Sequence, residues 1–110
     1  FSAHAYVSKF EVDEDTGAFH FYLKPTVRDR DDAQRIMNQL YMDIKGLQRK
    51  TTATLKPRMV QTKGRWRVSF VLNTASARMR ATPDDLDFMK SQYNLSDTDV
   101  SRVLRIINNV

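Results

Sequence analysis

Two stretches of strand-like alternation and three of helical spacing organise this chain. Between about Ala5 and Lys24, Tyr6, Ser8, Phe10 and Val12 alternate with Val7, Lys9 and Glu11, which is the period of a β-strand. Phe19, Phe21 and Leu23 then alternate with His20, Tyr22 and Lys24. The run Asp13-Glu14-Asp15-Thr16-Gly17 between them predicts a hairpin turn, with Gly17 supplying positive φ and the acids bonding the turn backbone. Pro25 ends the return strand.

After Pro25 the period changes. Ala33, Ile36, Met37, Leu40, Tyr41, Ile44 and Leu47 recur at three- and four-residue steps, the stripe of an amphipathic helix. Asp29 or Asp31 caps its start, Asp32 suits the N-terminal dipole, and Gly46 marks its end. A second hairpin is predicted from Thr52 to Asn73 with Gln61-Thr62-Lys63-Gly64 as the turn. Its return strand points Trp66, Val68, Phe70 and Leu72 one way and Arg65, Arg67 and Ser69 the other. In its partner Ala53, Leu55, Pro57 and Met59 point inward, while Thr52, Thr54, Lys56 and Arg58 point outward. Pro57 lacks an N–H for the ladder, so this strand belongs at an edge or a bulge.

Thr82-Pro83-Asp84-Asp85 reads as a capped helix start, and that helix runs to about Tyr93. Ser96-Asp97-Thr98-Asp99 opens another, with Val100, Val103, Leu104 and Ile107 on its stripe. Ile106 and Val110 fall off that stripe and are candidates for a dimer or partner contact. The expected class is α+β in the order ββαββαα, with the hairpins forming an antiparallel sheet and helices packed on one face. The other face is then open to solvent.

Length and composition place these elements in a single domain, residues 1–110, with 41% hydrophobic and 28% charged residues. No Cys is present, which removes disulfides and thiolate sites, and His4 and His20 lack a metal-ligand spacing, so neither a metal nor a cofactor is expected. No apolar run is long enough to span a membrane, and an intracellular, soluble protein is expected. Residue 1 is Phe, so a longer product with a preceding targeting segment stays open.

Charge changes the picture most. Ile44 to Pro83 holds ten Lys/Arg and no Asp or Glu, whereas the rest of the chain sets eight Lys/Arg against thirteen acids. A block of one sign creates a local potential suited to a polyanion. Alternation gathers Thr52, Thr54, Lys56, Arg58, Arg65, Arg67 and Ser69 on the open face, with Lys63 at the turn. Tyr22 and His20 add rings for base stacking, and Arg78 and Arg80 extend the basic surface. The same pattern is also met on solvated sheet faces, although those mix signs.

Asn94-Leu95-Ser96-Asp97-Thr98-Asp99-Val100-Ser101-Arg102-Val103-Leu104 resembles the turn and recognition helix of helix-turn-helix repressors. The resemblance covers about eleven residues and implies DNA contacts from Ser96, Thr98, Ser101 and Arg102. Two features depart from that pattern: Lys90 stands four before the turn, where the family has a small residue, and Asp97 and Asp99 sit at the helix N-terminus. A capped amphipathic helix accounts for the same residues without DNA.

No activated nucleophile, catalytic carboxylate pair or glycine-rich phosphate loop is present; Asp13 and Asp15 are turn acids, and Asp29, Asp31, Asp84 and Asp85 are helix-start acids. The expectation is a non-enzymatic domain binding DNA or RNA through its basic sheet face. The alternative is a small regulatory module docking on an acidic protein partner, with a homodimer also open.

Overall fold

The computed structural model describes residues 2–45, 54–73 and 83–108. Strands β1 (Val7–Asp13) and β2 (Ala18–Leu23) form the first hairpin, and α1 (Arg30–Lys45) follows. Strands β3 (Thr54–Thr62) and β4 (Arg65–Asn73) form the second, before α2 (Asp87–Tyr93) and α3 (Asp97–Asn108). The α+β class and element order are those predicted. One antiparallel sheet runs in the order β1-β2-β4-β3, so the two return strands are central. Both β2 and β3 are antiparallel to β4 and therefore run parallel on either side of it.

Local chemistry sets the turns. Asp13 Oδ1 accepts the backbone N–H groups of Asp15 and Thr16 at 3.0 and 3.3 Å, and Gly17 takes φ +67°. The second turn is tighter than predicted: Gln61 and Thr62 stay in β3, leaving Lys63 and Gly64 at φ 53° and 78°. Positive φ at both central residues matches the right-handed twist of the flanking strands.

The core lies between the sheet and one helical layer. Phe19 pairs with Phe70 and Phe21 with Val68 across the central strands, and all four are buried with Leu23 and Trp66. Removing such a side chain from water contributes about 1.5–3 kcal/mol. Helix α1 buries Ala33, Ile36 and Leu40 and sets Tyr41 6.3 Å from the Phe70 ring. Tyr93 of α2 lies 5.3 Å from Phe21 and donates its hydroxyl to Asp43 Oδ2 at 2.6 Å. Burial and the Asp43 carboxylate both push the Tyr93 phenol well above its ordinary pKa.

The helix ends follow their capping residues. Asp29 Oδ1 accepts the Asp31 N–H at 3.3 Å. Ser96 Oγ accepts from Asp99 N–H at 3.1 Å while Asp99 Oδ2 accepts from Ser96 N–H at 3.4 Å, a reciprocal capping box. Asn94 closes α2 with φ 53°.

Three details correct the sequence reading. The β1–β2 register shifts between Val7 and Lys9, so Val7 joins the core side while Ser8 sends its hydroxyl to the Tyr22 carbonyl at 3.1 Å. A bulge of this kind breaks strict alternation, which had placed Tyr6 and Ser8 with Phe10. Pro83–Leu86 is a 3₁₀ turn, and α2 begins only at Asp87. Ile106 is not an exposed contact: it is 7% exposed and packs near Gly17, within the same core cluster as Val100 and Val103. Pro57 sits in an edge strand, as its chemistry requires. Thr52, Ala53, Gly46, Leu47, Thr82 and Val110 lie outside the described residues. Among the described residues no helix is long and apolar enough to cross a membrane.

Candidate nucleic-acid interface

The register determines which side chains share the open face. Across β1, β2, β4 and β3, one row reads Glu11, His20, Ser69, Arg58. The next row, toward the second turn, reads Lys9, Tyr22, Arg67, Val60. On the other side the row is Asp13, Ala18, Val71, Lys56. The β2–β4 pairing ends at Tyr22–Arg67; beyond it Arg65 pairs with Thr62 of β3, and Lys24 follows the end of β2.

The β3–β4 half of this face is basic. Lys56, Arg58, Lys63 and Arg65 are exposed and Arg67 is half-buried. Among the described residues none of these five cations has an ion pair. Among the described residues Arg67 Nε is also buried without a hydrogen-bond partner. A buried donor left unsatisfied costs about 1–3 kcal/mol, so it marks a place where an added acceptor is favourable.

The β1–β2 half satisfies itself. Lys9 Nζ lies 2.6 Å from Glu11 Oε1, and the Tyr22 hydroxyl donates to Glu11 Oε2 at 2.9 Å. The Lys9 bond, followed by the Tyr22 bond, holds the Glu11 carboxyl below its ordinary range, and the same contact raises the Lys9 ammonium. Lys9 Nζ stands 5.6 Å from the Tyr22 ring centroid. A base stacking on that ring face would therefore replace the ammonium. His20 Nδ1 meets Ser69 Oγ at 2.7 Å, and Ser69 is 3% exposed although it belongs to the open face. The two rings read from the sequence thus lie on the face, half-buried and already bonded.

Ser96, Thr98, Ser101 and Arg102 are exposed on α3 and at its start, as a recognition helix would need, but their surroundings are acidic. Ser96 spends its hydroxyl on the cap, and Lys90 bonds Asp97 at 2.7 Å, so the two departures from the repressor pattern neutralise each other. Arg102 Nε is 3.9 Å from Glu14, whose carboxylate Arg105 grips at 2.7 and 3.2 Å. The Arg105 bond depresses the Glu14 carboxyl. A cleft of about 650 Å³ between β1, the first turn and α3 is lined by Glu11, Asp13, Glu14, Asp15, Asp99 and Arg102, a set that repels phosphate. His20 and Tyr22 border the same cleft. The face therefore grades from an acidic margin at β1 to a basic one at β3.

Arg78 and Arg80 lie outside the described residues. Sequence reasoning had not included Lys24, Lys9 or Glu11 in the site. Lys24 carried a signal, since it alternates with Tyr22 and His20, but only the strand order sets the end of β2 beside β4. Among the described residues no group of three or more His, Asp or Glu side chains could hold a metal ion. No protein-family model, no curated protein and no solved structure matches the chain.

Proposed function

We propose that this chain is a non-enzymatic nucleic-acid-binding domain that uses the β3–β4 half of its open sheet face. The observation that carries this reading is the absence of ion pairs at Lys56, Arg58, Lys63, Arg65 and Arg67 among the described residues. Cations left unpaired on one face attract phosphates, and neutralising a phosphate releases condensed counterions. If about five phosphates are engaged, raising salt from about 50 to 200 mM weakens binding by roughly 10²–10³-fold. The α3 arginines support this site less well, because Glu14 already holds them.

The test converts Lys56, Arg58, Arg65 and Arg67 together to Glu and measures binding of labelled oligonucleotides by fluorescence anisotropy, with circular dichroism as the folding check. Loss of binding in a folded variant is expected. An acidic protein partner would use the same cations, and comparing random DNA and RNA with a cell-lysate pull-down separates the two. A folded variant that keeps its oligonucleotide affinity would sink the proposal.

A further inference from the structure

We infer that the nucleic acid taken by this face is a single strand laid along β4, with Lys24 holding its end beyond β2. The inference rests on the proposed function and adds the form of the ligand, its direction and a further contact. Three observations support it.

The first is width. Four strands spaced by about 4.8 Å span about 14 Å before side chains are counted, whereas the major groove of B-DNA is about 12 Å wide. A two-stranded ribbon enters that groove, but β4 is flanked on both sides within this sheet. The tip of the second hairpin does not stand free either: the Trp66 indole donates to the Arg28 carbonyl at 3.0 Å, tying the start of β4 to the β2–α1 connection.

The second is the interleaving of apolar groups with the cations. Val60 pairs with Arg67 and Val71 with Lys56, and Val71 is 37% exposed on the open face. A duplex keeps its base faces in the stack and offers this surface only phosphate and sugar. Unstacked bases place their rings against apolar and aromatic side chains.

The third is the direction of the charge. Crossing the sheet from β3 to β1 leads from Lys56 and Arg58 into Asp13 and Glu11, which repel phosphate. Following β4 instead leads past Arg67 to the exposed Arg65, toward the end of the sheet at which β2 gives way to the exposed Lys24. From Lys56 to Thr62 this path is about 20 Å at about 3.4 Å per residue.

The experiment titrates the intact chain with labelled oligo-U, oligo-dT and a hairpin duplex of equal phosphate number, at several salt concentrations. Both single strands are expected to bind at least tenfold tighter than the duplex, with a preference between them showing whether the 2′-hydroxyl is read. Affinity is expected to rise steeply with length until the strand covers this path and then to level off. Lys24→Ala should weaken single-strand binding about fivefold at 100 mM salt and lower the salt slope by about 0.7, while Arg35→Ala, on α1, changes neither. Duplex binding equal to or tighter than single-strand binding, or a silent Lys24→Ala, overturns the inference and leaves the broader proposal standing. Absence of binding to all three probes overturns both.

Discussion

The two hairpins share one core and one open face, yet they leave that face in opposite electrical states. In the β1–β2 half most charges are met from nearby: Lys9 and Tyr22 converge on Glu11, Asp13 accepts two turn N–H groups, and Arg105 holds Glu14, while Lys24, just past the end of β2, has no ion pair among the described residues. In the β3–β4 half five cations share a surface without a carboxylate partner among the described residues. Charge density alone does not separate them, since both carry Lys or Arg. The difference is whether the counter-charge is supplied from within. Exposed ion pairs contribute little to stability, about 0–1 kcal/mol each, so the pairing matters less for holding the fold than for deciding which half stays available.

The largest test of this contrast is to reverse equal numbers of paired and unpaired charges. Reversing Lys56, Arg58, Arg65 and Arg67 to Glu is expected to lower oligonucleotide affinity by about 10²-fold or more near 100 mM salt. A matched reversal of Arg35, Lys90, Arg102 and Arg105 gives the same net charge and should cost less than about fivefold by anisotropy, since those side chains already have carboxylate partners. Equal losses would show that net charge, not the open half, does the binding.

Arg67→Met separates stability from binding. It removes the orphaned Nε while keeping an apolar stem, so a urea melt should show a gain of about 1 kcal/mol, and affinity should fall about fivefold. Loss of stability would mean that the guanidinium is structurally required. A smaller change is expected from Glu11→Gln, which takes a negative charge from the margin of the face: affinity should rise about threefold, and a fall would place Glu11 among the contacts.

The smallest effect concerns acid stability. The Glu11 carboxyl is depressed in the folded chain by the Lys9 and Tyr22 bonds. Its stabilisation is therefore present above the unfolded pKa of about 4.3 and is lost as pH falls through the lower folded value. Glu11→Gln should lower stability slightly at neutral pH and leave the acid end nearly unchanged, so that the acid limb of a pH melt flattens in that window. An unaltered acid limb would assign the pH response to other carboxylates such as Glu14, which the Arg105 bond also depresses.

Much of this was readable from residue order because alternation is a local property. Phe19, Phe21 and Leu23 identified the core side of β2, and Trp66, Val68 and Phe70 that of β4, which in turn fixed the outward direction of Arg65 and Arg67. The bulge at Ser8 could not be read, since nothing in Val7-Ser8-Lys9 distinguishes a skipped pairing from a regular one. Ile106 was misplaced because its burial depends on how α3 leans on the first turn near Gly17, a tertiary relation without a sequence period. The site was legible as a list of cations but not as a gradient. Strand order alone sets Glu11 and Asp13 at one margin and Lys56 and Arg58 at the other.

That strand order also has a consequence for how the molecule assembles. Each hairpin closes locally, but the halves are joined along β2 and β4, where His20 bonds Ser69, 49 positions further along the chain. Until β4 exists, β2 has one unpaired edge, and Phe19 and Phe21 have their β1 neighbours but lack Phe70 and Val68. Closure of this long-range seam is thus the natural slow step of folding, while the hairpin turns form early. Substitutions at Val68, Phe70 or Gly64 should therefore slow refolding about as much as they destabilise, since the seam closes in that step and the turn is formed before it.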